Sequence, residues 1–80
     1  MQSQELVALR TQIDALDEEL VELLARRFRV TDAVGKLKAA EGLSAVDAAR
    51  EAIQEQRLAH LALRHEVNPG VVNRVFRTIV

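Results

Sequence analysis

The chain has 80 residues, enough for one domain at most, and it contains no cysteine, so disulfides and thiolate zinc sites are excluded. A net charge of −1, with two phenylalanines as the only residues of the Phe/Trp/Tyr class, gives no electrostatic or stacking footprint for nucleic acid. A domain this short buries little surface by itself and usually adds a disulfide, a metal or a partner chain, so very good packing or oligomerisation is expected. The start, Met1-Gln2-Ser3-Gln4-Glu5, lacks a basic stretch followed by an apolar run, so no signal peptide is visible. No apolar segment approaches the roughly 20 residues that span a bilayer. The expectation is a soluble, cytoplasmic protein without membrane contact.

The composition is rich in Ala, Leu, Val, Glu and Arg, a helical profile. Apolar residues fall at Leu6, Leu9, Ile13, Leu16, Leu20, Leu23, Val30, Val34 and Leu37. Their alternating three–four spacing is a coiled-coil-like seam. With Ser3 as N-cap and no break before Gly42, it predicts one helix from about residue 5 to 40, roughly 50 Å long. Gly35 lies inside that helix. The remaining half of the chain cannot cover such a length, which again points to a second copy.

Gly42-Leu43-Ser44 reads as a turn, and Ser44 with Asp47 resembles a capping box, predicting a second helix from about 45 to 64. Its Val46 and Ile53 are expected to face the core. Asn68 and Pro69 then suit the N-cap and first position of a third helix. That helix places Val71, Val72, Val75, Phe76, Ile79 and Val80 on one face, with Asn73, Arg74, Arg77 and Thr78 opposite. The fold class is therefore all-α, with three helices and a long first one. It ends in mid-pattern at Ile79-Val80, without a C-cap glycine, so the native polypeptide or its helix is expected to continue.

The residues that interrupt the pattern carry the functional signal. Continuing the seam from Leu23 lands on Arg27, and Arg27, Thr31, Val34 and Lys38 share about 60° of the helix. Two cations thus occupy the inward face with no carboxylate beside them there, and buried cations need partners. Structural counter-ions on helix 2, Asp47 or Glu51, or an outward bend of Arg27, satisfy this as well as a ligand does. Helix 2 carries a second polar stripe, Asp47, Arg50, Glu51 and Gln54, for which an ordinary solvated face is the plain alternative. His60 and His65 do not share a helix face and read as surface or interface residues. No HExxH, P-loop, dinucleotide fingerprint or nucleophile elbow is present.

Taken in order, these segments resemble the all-helical chorismate mutase family. Leu9-Arg10 followed by Ile13-Asp14-Ala15-Leu16-Asp17 is similar to its "LR-x-x-I-D-x-L-D" opening. Leu23-Leu24-Ala25-Arg26-Arg27 and Val34-Gly35-Lys36-Leu37-Lys38 are similar to "L-x-x-R…[IV]-G-x-x-K", and Asp47-Ala48-Ala49-Arg50-Glu51 to "D-x-x-R-E". The resemblance covers residues 1–80 as a single helical domain.

It implies an intertwined homodimeric bundle with a shared active site, no metal and no cofactor. The substrate it implies is chorismate or a related small dicarboxylate, rearranged to prephenate for aromatic amino acid synthesis. Arg10 of one chain and Arg27 of the other would clamp two carboxylates, and Lys38 would donate to the ether oxygen. Glu51, with backbone near Asp47, would receive the ring hydroxyl, and Arg50 would orient the carboxylates or the neighbouring acids. Gln54 would line the pocket where many members carry an apolar residue. A partner enzyme of the shikimate pathway joins the expected contacts.

Alternatives of the same fold are a 4-amino-4-deoxychorismate mutase and an isochorismate pyruvate lyase; a weakly active or non-catalytic dimer module is the alternative from another class. The family also places a Gln or Glu donor two turns beyond Val80, so an 80-residue product is expected to be a poor catalyst.

Overall fold

The computed structural model describes residues 3–80; Met1 and Gln2, the first residues of the expected domain, lie outside it. The described residues form three α-helices and no strand: α1 (Gln4–Ala40), α2 (Ala48–Arg64) and α3 (Pro69–Ile79). The chain divides into two units, Met1–Glu41 and Gly42–Val80.

The first unit is α1. Its N-terminus is capped as the sequence suggests: the Ser3 Oγ accepts the Leu6 N–H at 3.0 Å. Glu5 in the first turn and Lys38 in the last both oppose the helix dipole favourably. The helix closes where Glu41 donates its N–H to Leu37 O at 3.0 Å. Gly42 follows at φ 68°, a left-handed conformation that suits glycine. Leu9, Ile13, Leu16, Leu20, Leu23, Val30, Val34 and Leu37 of its apolar seam are all exposed, Leu16 by 62%.

The second unit is a helical hairpin in which α2 packs against α3. Its first helix starts later than the spacing suggests. Asp47, not Ser44, is the N-cap: it is extended at φ −128°, and its Oδ1 accepts the Arg50 N–H at 3.0 Å. Ser44 closes a separate small turn by accepting the Val46 N–H at 3.2 Å. A carboxylate at the positive end of a helix has the advantage of charge over a serine hydroxyl, and the β-branched Val46 falls outside the helix.

The end of α2 forms a Schellman motif without glycine. His65 is the C-cap, Glu66 takes φ 58°, and the Glu66 and Val67 N–H groups donate to Leu63 O and Ala62 O at 3.2 and 2.8 Å. Asn68 then caps α3, its Oδ1 accepting the Gly70 N–H at 2.8 Å with Pro69 in the first turn. A Cβ on Gly70 would stand 3.1 Å from that Oδ1, so the cap itself favours a residue without one.

The covered side of the hairpin differs from expectation. Ala62, 3% exposed, is the only buried residue among those described. Gln54, Leu58, Ala59 and Leu61 of α2 and Val72, Asn73, Phe76 and Ile79 of α3 are half-buried. Val46 and Ile53 are 68% and 58% exposed, and Val71 and Val75 are exposed as well. The azimuth of Leu58, Leu61 and Ala62 passes through Gln54, with Ile53 about 100° away. A polar residue therefore occupies the position that an apolar pattern assigns to isoleucine.

Candidate functional site

The cationic set lies on α1. Its basic residues are Arg10, Arg26, Arg27, Arg29, Lys36 and Lys38, and of these only Arg27 and Lys38 are half-buried; the rest are exposed. These are the two that the interrupted seam singles out. They are separated by about 20° around the helix and about 16 Å along it, with Thr31 and Val34 between. The Thr31 hydroxyl donates back to Phe28 O at 3.1 Å. Arg10 lies about 100° around and about 25 Å away along the same helix, so α1 does not bring Arg10 and Arg27 to one place.

A concavity on α1 lies beside this strip. An open groove of about 510 Å³ is lined by Phe28, Thr31, Asp32, Gly35, Lys36 and Ala39. It shares Thr31 alone with the Arg27–Lys38 strip. Its charged residues satisfy each other, Lys36 Nζ to Asp32 Oδ2 at 3.0 Å, on side chains 79% and 66% exposed. Such an exposed i,i+4 pair contributes little.

The mixed set lies on α2. Asp47, Arg50, Glu51 and Gln54 follow one stripe that runs into Leu58, Leu61 and Ala62. Asp47, Arg50 and Glu51 are exposed and Gln54 is half-buried. Asp47 is thus both a helix cap and a stripe residue, with Oδ1 committed to the Arg50 N–H. Sequence spacing pairs Asp47 with Ser44 and misses this role; the run of two alanines directly after Asp47 was the available signal. The Gln54 Oε1 is buried and has no hydrogen-bond partner.

Chemically, Arg27 offers a planar fork suited to a carboxylate and Lys38 a compact point donor. Glu51 and the second oxygen of Asp47 offer acceptors. No group of three or more His, Asp or Glu among the described residues is placed to hold a metal ion. None of the described helices is long and apolar enough to cross a membrane.

The described residues thus form an all-helical domain in which Arg27 and Lys38 have the chemistry to bind a small anion. The family model for chorismate mutase type II matches residues 9–80. The chain belongs to that family. It is 37% identical over 75 residues to the bifunctional chorismate mutase/prephenate dehydratase of Escherichia coli strain K12, an alignment covering 94% of this chain and 19% of the relative. It is 36% identical over 76 residues to the T-protein of Enterobacter agglomerans, covering 95% and 20%. The bifunctional enzyme of Buchnera aphidicola subsp. Schizaphis graminum is 26% identical over 76 residues, again 95% and 20%. The chain therefore spans about a fifth of the length of the curated relatives it matches.

Proposed function

We propose that the chain acts on chorismate and catalyses its [3,3] rearrangement to prephenate, as a homodimer with shared sites. Half-burial of Arg27 and Lys38, alone among the cations of α1, is the observation that carries this reading. Family membership over residues 9–80 names the reaction that fits it.

In the rearrangement the ether C–O bond breaks as a C–C bond forms, with no proton transferred and no covalent enzyme intermediate. Catalysis then reduces to holding the compact conformer and stabilising charge on the ether oxygen. Arg27 binds one carboxylate bidentately and Arg10 of the second copy binds the other. Lys38 donates to the ether oxygen as negative charge develops there. Glu51, with Asp47, accepts the ring hydroxyl, Arg50 orients the carboxylates or these acids, and Gln54 lines the same stripe. The seam of α1 supports the second copy: a leucine left in water forgoes roughly 1.5–3 kcal/mol of burial, and six of the seam residues from Leu6 to Leu37 are leucines.

The test is prephenate formation from chorismate by the purified chain, alongside Lys38→Met. Loss of a donor to the developing oxyanion is expected to lower kcat by about 100-fold or more, with a smaller change in KM. An unchanged kcat in Lys38→Met would remove the proposed role of Lys38.

A further inference from the structure

Charge is segregated along α1. The half up to Glu22 carries Glu5, Asp14, Asp17, Glu18, Glu19 and Glu22 against Arg10 alone, a net charge of −5. The half beyond it carries Arg26, Arg27, Arg29, Lys36 and Lys38 against Asp32 alone, a net charge of +4. The helix dipole does not account for this, because its effect fades within the first and last turns. The apolar seam divides at the same place. Its steps of three and four residues, from Leu6 to Leu37, read the same in both directions about a midpoint between Leu20 and Leu23.

A second copy laid antiparallel on this seam therefore meets it position for position. Leu6 faces Leu37, Ile13 faces Val30 and Leu20 faces Leu23 of the second copy, and the acidic half of each helix lies along the basic half of the other. Glu19 and Arg26 flank the seam at equivalent places, each directly before a seam position and on the same side of it. Reversal brings Glu19 of one copy level with Arg26 of the other to within about 3 Å along the axis. Two-fold symmetry then makes the same contact twice. Arg10 falls level with the stretch between Arg27 and Lys38 of the second copy, where the proposed shared site needs it. A parallel copy would instead lay like charge along like charge, with Glu19 against Leu24 and Arg26 against Thr31.

Both side chains are available for this contact. They are exposed, and about 10 Å along their own helix keeps them from pairing with each other. Neither makes an ion pair within the chain among the described residues, whereas Lys36 and Asp32 of the same helix do. The seam beside them is open as well, with Leu20 56% and Leu23 55% exposed. We propose that Glu19 of one chain and Arg26 of a second copy form an ion pair, twice per dimer, and that this pair selects the antiparallel alignment and the partner chain. The proposal rests on the homodimer reading and adds the charge code that fixes its alignment. Leucines adhere in either direction; flanking charges decide between directions, because the wrong one sets like charges together.

The experiment is a charge-reversal cycle on the full chain, with Glu19→Lys, Arg26→Glu and the double variant, read as dimer dissociation constants by sedimentation equilibrium. Each single reversal turns two attractions into two repulsions and should weaken the dimer about tenfold or more at low salt. The double variant restores opposite charges at both contacts and should return to within about threefold of the unsubstituted chain, which also shows that the substitutions permit folding. The two single variants mixed in equal amounts satisfy both contacts only when they pair with each other. Native mass spectrometry should then find about nine-tenths of the dimers mixed, where random pairing gives about half.

Single variants that dimerise as tightly as the unsubstituted chain, or a double variant as weak as the singles, would overturn the proposal and leave the homodimer reading intact. Random pairing in the mixture would do the same. An unsubstituted chain that stays monomeric would overturn the homodimer reading, and the proposal with it.

Discussion

At the scale of single residues, Asp47 separates folding from function. Its Oδ1 holds the first turn of α2 through the Arg50 N–H, and its other oxygen is left for the proposed ligand. Asp47→Ala should cost about 1 kcal/mol of stability, the usual loss for a helix cap. Asp47→Ser keeps a capping oxygen and should stay within a few tenths of a kcal/mol of the original, yet lower kcat/KM about tenfold or more for want of the carboxylate. Chemical denaturation and steady-state kinetics on the pair measure the two effects separately. Arg27 and Lys38 were legible in the sequence because a charge on an apolar seam is conspicuous, and the structure finds both half-buried. Gln54 was legible from spacing as a member of the polar stripe of α2, and its covered position was not. Periodicity looks for apolar residues on covered faces, so it chose Ile53, which is 58% exposed. The rule fails where a polar residue takes a covered position.

At the scale of elements, α1 and the start of α3 were readable. The three–four seam and Ser3 define the first, and the Asn68-Pro69 pair defines the start of the third. The start of α2 was not, because Ser44 and Asp47 are both competent caps and only local energetics choose between them. The turn after α2 was also obscure. A Schellman motif ordinarily announces itself by glycine, and here Glu66 occupies the left-handed position at φ 58°. A side chain in that conformation carries a cost of about 1–2 kcal/mol that glycine avoids, part of which is returned by the greater freedom of unfolded glycine. Glu66→Gly should therefore stabilise the hairpin by about 0.5–1 kcal/mol, measured as a raised denaturant midpoint with an unchanged m-value. Destabilisation by this substitution would show that the Glu66 side chain makes a contact worth more than the backbone relief.

At the scale of the whole molecule, the exposed seam of α1 asks for a partner surface, and a second copy is the proposed one. Leu16, 62% exposed in the single chain, and Leu20, 56% exposed, test this directly. Were they truly on water, aspartate at either position would change stability by no more than about 0.5 kcal/mol. In a dimer that buries the seam, each substitution places an unpaired charge in the interface and should abolish the cooperative thermal transition or cost at least about 3 kcal/mol. Sedimentation equilibrium should give twice the chain mass of 8.9 kDa for the original protein and a monomer for the variants.

The central claim is that Arg10 of one chain and Arg27 of the other complete a single site, and subunit complementation reaches it most directly. Arg10→Ala and Arg27→Ala should each be inactive as homodimers. Co-refolded in equal amounts, they pair at random into three dimers, and each mixed dimer holds one site with both arginines and one with neither. Half of the dimers are mixed, so the blend should recover about a quarter of the activity of the unsubstituted chain, as a two-fold symmetric dimer with shared sites requires. Activity no higher than the mean of the two separate variants would contradict the shared site.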